Sequence, residues 1–177
     1  MSALLKIERP ARGPARGLVL LLHGVGADEQ SLVALAQRLP DDVHVVLPRA
    51  PRPFGPAAYG WFQVAFTEQG PVIRPEQAEA SRLQLIDFIA DTQQRLGIAP
   101  AKTLVAGFSQ GGIMSAGVAL TSPGSVAGFG ILSGRILPEI EPRIPQDIAM
   151  AQDVVAWVQQ RLPAVHACVA GTRCRRR

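Results

Sequence analysis

The chain has 177 residues, which is enough for one domain with a buried core and too few for two ordinary domains. Hydrophobic residues make up 47% of the chain and charged residues 18%, a balance that excludes the disordered and fibrous classes. The formal net charge of +4 comes from four arginines close to the C-terminus, because the remaining 14 of the 18 basic residues are matched by 14 acidic ones, and we therefore expect no nucleic-acid partner.

The first predicted elements form a β-α-β unit. Residues 18–22 and residues 43–47 are short runs rich in Leu and Val, which is typical of strands buried on both faces of a sheet. An apolar stripe at helical spacing lies between them and predicts a helix. The stripe consists of Leu32, Leu35, Ala36 and Leu39.

No segment of the sequence predicts a membrane span. The apolar run 18–22 is far too short to cross a bilayer, and residues 1–6 are too few for the apolar core of a secretory signal. We therefore expect a cytoplasmic protein.

Residues 49–71 are rich in Pro, Gly and aromatic side chains and have no clear period. They predict a loop over the carboxyl edge of the sheet, where ligands bind in open α/β folds. Trp61 and Phe62 lie in this loop. Two interpretations stay open for them: an apolar wall for the acyl or alkyl group of a substrate, or packing of the loop onto the domain.

A long helix is predicted from Pro75 to Gly97, because Pro favours the first turn of a helix and Gly the position just past its end. A strand at residues 103–108, a helix after Ser109 and a strand at residues 126–132 follow. Strands that alternate with helices predict an α/β fold with a mainly parallel sheet and helices on both faces.

The segment Gly107-Phe108-Ser109-Gln110-Gly111 has the pattern G-x-S-x-G between a predicted strand and a predicted helix. A serine at such a sharp turn is held in a strained backbone conformation with its hydroxyl exposed, and its neighbours must be small. The pattern in this context predicts that Ser109 is a nucleophile.

A second glycine-bracketed loop, residues 23–29, follows the first predicted strand. Attack on a carbonyl places negative charge on its oxygen, which two fixed backbone N–H groups can stabilise. One donor is the residue after the nucleophile, here Gln110, and the other comes from the loop after an early strand. Val25, between Gly24 and Gly26, fits the second position.

These segments resemble the phospholipase/carboxylesterase family of α/β-hydrolases, which includes the acyl-protein thioesterases. The resemblance rests on Leu21 to Glu29, on Gly107 to Gly112 and on Leu132-Ser133-Gly134, in that order. It implies hydrolysis of a small-molecule carboxylic ester or thioester through an acyl-enzyme, with no metal and no cofactor. Ser109 would be the nucleophile, and the N–H groups of Val25 and Gln110 the oxyanion hole.

The resemblance weakens after Gly134. The family continues with a strand that ends in a His-Gly-x-x-Asp segment, which carries the catalytic acid, and later with a Gly-His segment, which carries the base; neither segment is present. A helical stripe follows Asp147, and Gln146 or Asp147 stands where the histidine is expected. We therefore expect an internal loss of about two strand-helix units, roughly 60 residues, near residue 145, and an α/β-hydrolase fold that lacks its last strand-helix units.

The catalytic acid and base are accordingly not identified. His166, with Asp147 or Asp153, preserves the order serine, acid, histidine, whereas His23 and His44 are expected to be structural. Two hypotheses remain: a serine hydrolase impaired by the loss of its acid and base, and an inactive α/β-hydrolase-like protein that binds an acyl ligand or a partner.

The domain is predicted to span residues 1–162 and to be followed by a basic, disordered tail at residues 163–177. Cys168 and Cys174 lie in this tail and lack the spacing of a metal site or a disulfide framework. The strand at residues 126–132 would lose its outer neighbour and become an apolar edge, so we expect homodimers, aggregation or low stability.

Overall fold

The computed structural model describes residues 4–145, and these form nine strands and three α-helices. The elements are, in chain order, β1 (Lys6–Arg9), β2 (Gly17–Leu22), α1 (Val33–Ala36), β3 (Val43–Pro48), β4 (Arg52–Gly55), β5 (Ala58–Gly60), β6 (Val64–Thr67), β7 (Gly70–Ile73), α2 (Pro75–Leu96), β8 (Thr103–Phe108), α3 (Gln110–Thr121) and β9 (Gly128–Leu132). Short 3-10 helices lie at Pro100–Lys102, Pro123–Ser125 and Pro138–Arg143.

The central sheet has the strand order β1-β3-β2-β8-β9. Strands β3, β2, β8 and β9 are parallel to their neighbours, and β1 runs antiparallel to β3 at one edge. In a parallel sheet the carboxyl ends of the strands share one edge, so the residues after β2, β3, β8 and β9 are brought together there. This is the α/β architecture that the sequence predicts.

Two apolar clusters lie on the two faces of this sheet, although the outer part of one face, at β8 and β9, stays exposed. Helices α2 and α3 pack on one face against β2 and β8, where Leu20, Leu85 and Val105 are fully buried. Helix α1 packs on the other face against β2 and β3, around Ala36 and Val45. The prediction of helices on both faces is confirmed.

The predicted long helix is confirmed as α2. It begins with Pro75 at its first position and ends at Gly97, whose φ of +65° is the left-handed conformation that glycine adopts at helix ends. Among the described helices, none combines the length and the apolar character that a membrane span requires.

The prediction of an irregular loop at residues 49–71 is wrong. The segment contains the antiparallel hairpin of β4 with β5 and most of the hairpin of β6 with β7, which ends at Ile73. Their strands have three or four residues each and are largely exposed. The sequence therefore shows no alternation of apolar and polar residues that would predict them.

Three further expectations need correction. Helix α1 has only four residues, because the chain turns at Arg38 and Leu39 ahead of Pro40. Strand β9 begins at Gly128 and is partly exposed instead of buried. The predictions for residues 146–177, including the end of the domain at residue 162, the tail, both cysteines and His166, lie outside the described residues.

Candidate active site

Ser109 occupies the sharp turn between β8 and α3. Its backbone has φ +53° and ψ −114°, a conformation that costs an L-residue roughly 1–3 kcal/mol. The turn is held on both sides, because the Ser109 N–H donates to the Leu132 carbonyl at 2.7 Å and the Ser109 carbonyl accepts from the Ile113 N–H at 3.1 Å. The Ser109 side chain is partly exposed, and its hydroxyl has no hydrogen-bond partner within residues 4–145.

The turn requires glycine at the two positions that the motif specifies. A Cβ atom on Gly107 would lie 2.3 Å from the carbonyl carbon of Gly111, and one on Gly111 would lie 2.1 Å from the carbonyl oxygen of Leu22. Both contacts are with backbone, which cannot rotate away as a side chain can. The crossing of α3 over β8 and β2 therefore depends on these two residues.

Two backbone N–H groups near Ser109, those of Gln110 and Val25, have no acceptor among the described residues. Gln110 is the first residue of α3, where N–H groups have no partner inside the helix and the helix dipole is positive. Gly24 brings the Val25 loop close, because a Cβ built on it would lie 3.5 Å from Cβ of Ser109.

The side chain of Gln110 has a structural role that the sequence analysis missed. It is buried, its Oε1 accepts from the Trp61 N–H at 2.6 Å, and its Nε2 donates to the Phe62 carbonyl at 2.7 Å. These two bonds attach the chain after β5 to the start of α3. The sequence contained one signal of this role: Gln110 is a polar residue at the start of a helix whose other residues are mostly small or apolar.

Trp61 and Phe62 have different surroundings. Trp61 is fully buried and its Nε1 donates to the His23 carbonyl at 3.0 Å, so its indole packs beneath the loop after β2. Phe62 is also buried, but it lines a cavity that contains Ser109. Of the two interpretations, packing of the loop onto the domain fits Trp61, and a position in the wall of the cavity fits Phe62.

The cavity at Ser109 has a volume of about 250 Å³. The β6–β7 hairpin contributes four of its lining residues, and Ser109, Val25 and Gln110 also line it. The lining residues are Val25, Phe62, Val64, Phe66, Pro71, Ile73, Ser109, Gln110, Ile113, Ser133, Gly134 and Arg135. A space of this size and apolar character can hold a short acyl or alkyl group next to the serine.

Neither described histidine is available as a base for Ser109. The Nε2 atom of His23 accepts from the Ala50 N–H at 3.0 Å, and its Nδ1 donates to the Gly24 carbonyl at 2.8 Å, so both nitrogens are used and the ring is neutral. Burial lowers the pKa of His23, which favours the same state. His44 Nε2 lies 3.0 Å from Glu8 Oε2 between β3 and β1.

No acid or base stands beside the serine in residues 4–145. The cavity lining described above contains no His, Asp or Glu. The candidates His166, Asp147 and Asp153 lie outside the described residues. The same part of the chain contains no group of His, Cys, Asp and Glu residues that could hold a metal ion.

An ion pair fixes the loop that carries Val25. Arg49 Nε and Nη2 donate to the two carboxylate oxygens of Glu29 at 2.5 and 2.6 Å, and Arg49 Nη1 lies 3.1 Å from the Tyr59 hydroxyl. The Arg49 guanidinium holds the pKa of Glu29 below its ordinary value. The pair thereby joins the loops after β2 and β3 to β5 at the carboxyl edge of the sheet.

Comparison with known proteins gives concordant matches. A family model described as phospholipase/carboxylesterase matches residues 4–155. Acyl-protein thioesterase 1 of Kluyveromyces lactis is 31% identical over 132 residues, which are 68% of this chain and 58% of the relative. Acyl-protein thioesterase 1 of Gibberella zeae is 29% identical and is covered to 60%. The chain thus spans about three fifths of the length of these curated relatives.

Solved structures agree on the fold. The crystal structure of esterase PE8 is 34% identical with a TM-score of 0.73, and the match covers 81% of this chain and 70% of that one. A carboxylesterase from Mesorhizobium loti is 24% identical with a TM-score of 0.62, over 70% of this chain and 57% of that one. The described architecture is therefore the α/β-hydrolase fold.

Proposed function

The chain belongs to the phospholipase/carboxylesterase family of α/β-hydrolases, and from this premise we propose that it is a serine hydrolase of small-molecule carboxylic esters or thioesters. The observation that carries the proposal is the strained turn of Ser109, with φ +53° and ψ −114°, in the lining of a cavity. Strain of this kind at a partly exposed serine is typical of a nucleophile that the surrounding structure holds towards a ligand.

The proposed reaction uses Ser109 and its two N–H neighbours. Ser109 Oγ attacks the carbonyl carbon of the substrate and gives its proton to a base, while the carbonyl oxygen takes the negative charge. The N–H groups of Val25 and Gln110 donate to that oxyanion, and each such donor contributes roughly 10²–10³ in rate. The alcohol or thiol then leaves with a proton, and water hydrolyses the acyl-enzyme.

The acyl or alkyl group is proposed to lie against Phe62 and the β6–β7 hairpin. Phe66 on this hairpin is 78% exposed, so an apolar ligand would cover surface that now faces solvent. Trp61 is proposed to act by positioning the chain before Phe62 and to make no contact with the substrate.

The proposed hydrolase needs a base, and this requirement separates it from a second candidate function. Both described histidines are committed to other hydrogen bonds. This observation favours an inactive α/β-hydrolase-like protein that binds an acyl ligand or a partner, unless His166 with Asp147 or Asp153 supplies the base and acid. The internal loss near residue 145 stays a prediction.

Labelling with a fluorophosphonate tests the proposal, because this probe reacts only with an activated serine. We expect labelling of the unaltered chain and of Ser133→Ala, a matched control in the same cavity, and none of Ser109→Ala. Turnover of an activated aryl ester should fall by about 10⁴–10⁶ in Ser109→Ala. Two results would overturn the proposal of a hydrolase and favour the binding protein. One is equal product from the unaltered chain, Ser109→Ala and His166→Ala, and the other is no labelling of folded protein.

We also propose that a second copy of the chain is the partner of strand β9. This strand is an edge of the described sheet, and Leu104, Phe108 and Leu132 lie on one face of β8 and β9 with exposed fractions of 48%, 48% and 43%. An apolar face beside an open edge favours association.

Sedimentation equilibrium tests this partner. We expect association that increases with protein concentration and that is weakened by Leu104→Lys with Leu132→Lys, but not by Leu83→Lys, which changes a leucine on α2 that is 50% exposed. A monomer at high concentration, together with a cooperative thermal transition, contradicts the proposal.

A further inference from the structure

The cavity at Ser109 has one charged side chain among its described lining residues, that of Arg135. Arg135 is exposed and follows Ser133 and Gly134 at the carboxyl end of β9. Gly134 lies against the catalytic turn, because a Cβ atom built on it would be 2.8 Å from the Ser109 carbonyl oxygen. Arg135 is therefore the next residue after Gly134, which packs against the backbone of Ser109.

Arg135 has no carboxylate partner within the described residues. Arg49, Arg82 and Arg95 each have one, namely Glu29, Glu79 and Glu8, whereas Arg38 and Arg52, which do not line this cavity, have none among the described residues. A guanidinium that no described carboxylate neutralises gives the apolar cavity beside it a positive potential. The N-terminus of α3, which opens into the same cavity at Gln110, adds to this potential.

We propose that Arg135 determines specificity by binding an anionic group, a carboxylate above all, on the ester or thioester whose carbonyl lies at Ser109. This inference rests on the proposed function, since it names the class of substrate for that same site. The planar guanidinium donates two parallel N–H bonds to a carboxylate, a geometry that a neutral substrate cannot use. The apolar wall formed by Phe62 and the β6–β7 hairpin remains for the uncharged part of the substrate.

Binding without turnover is the first test. In a Ser109→Ala background, NMR titration compares monomethyl glutarate with methyl butyrate, which places the carboxylate on the acyl side, and para-acetoxybenzoate with its methyl ester, which places it on the leaving group. We expect the anion to bind about tenfold more tightly than its neutral partner in at least one pair, as for a charge-assisted hydrogen bond of an accessible group. Added salt should reduce this preference.

Three variants test whether the preference for anionic compounds depends on Arg135. Arg135→Gln should abolish it, and Arg135→Lys, which keeps the charge but not the paired N–H groups, should retain only part of it. Arg38→Gln removes the same charge from an exposed arginine that follows α1 and does not line the cavity, and should leave the preference unchanged. Equal binding of anionic and neutral compounds in both pairs, or a preference that survives Arg135→Gln, overturns the proposal.

Hydrolysis of the same four compounds by the unaltered chain separates this inference from the proposed function. A preference for anions in binding, with no hydrolysis of any compound, retains the role of Arg135 and rejects the hydrolase. Hydrolysis without a preference retains the hydrolase and rejects the role of Arg135.

Discussion

Gly111→Ala is expected to lower the free energy of unfolding by more than about 3 kcal/mol. The new Cβ atom would lie 2.1 Å from the Leu22 carbonyl oxygen and 2.5 Å from its carbonyl carbon, so α3 would have to move away from β2. Overpacking against flexible side chains already costs about 1–3 kcal/mol, and a clash with backbone should exceed it. Because a domain of this size has roughly 5–15 kcal/mol of unfolding free energy, the loss takes a large share of the total.

Gly124→Ala is the matched control for this substitution. A Cβ atom on Gly124 would have no heavy atom within 4 Å, and the backbone of Gly124 is not in the left-handed region. We expect its urea midpoint to stay within the range of ordinary surface substitutions, about 0.5 kcal/mol. Cooperative unfolding of Gly111→Ala at an unchanged midpoint would show that the crossing of α3 over β2 tolerates a side chain and that the reason given for the motif is wrong.

The central strands could be predicted because their sequence signal is local. Residues 18–22, 43–47 and 103–108 are short runs of mainly apolar residues, and they became β2, β3 and β8, of which β8 is buried mainly on one face. Helix α2 was delimited by Pro75 and Gly97, two residues whose backbone preferences act without tertiary contacts.

The elements that were missed depend on pairing between strands. Strand β1 has the sequence Lys-Ile-Glu-Arg, which indicates no strand by itself, and it is held by β3 and by bonds from Arg9 to the carbonyls of Leu39 and Pro40. The β4–β5 and β6–β7 hairpins contain Pro53 and Pro71 and expose much of their apolar surface, so neither alternation nor burial is visible in the sequence.

In the candidate site too, the parts with a local sequence signal could be predicted and the parts that depend on distant contacts could not. Ser109 and Val25 could be located because glycines in a fixed pattern mark the turns that hold them. The side chain of Gln110 could not be assigned, since its partners lie 49 and 48 residues away in the chain at Trp61 and Phe62. Arg135 was missed for a similar reason: only the packing of Gly134 against Ser109 brings it to the cavity.

Gln110→Ala is expected to lower the free energy of unfolding by about 3 kcal/mol, because it leaves the buried Trp61 N–H and Phe62 carbonyl without partners. Gln77→Ala is the matched control, since Gln77 Oε1 accepts from the Gln63 N–H at 2.8 Å but at an exposed position where water can replace it. We expect that control to change stability by less than about 1 kcal/mol in urea unfolding. Similar losses in both variants would contradict the structural role assigned to Gln110.

Gln110→Glu tests the direction of each bond through pH. Its carboxylate still accepts from the Trp61 N–H but faces the Phe62 carbonyl, which only accepts, so the folded state favours the protonated acid and raises the pKa of the new group above about 4.3. A group with a raised folded pKa stabilises the protein below its unfolded pKa, and this contribution is lost as pH rises. The variant should therefore approach the stability of the unaltered chain near pH 4 and fall behind it toward neutral pH. A gap that does not change with pH would mean that Gln110 Nε2 does not hold the Phe62 carbonyl, and hence that the chain before the cavity is attached to α3 by some other contact.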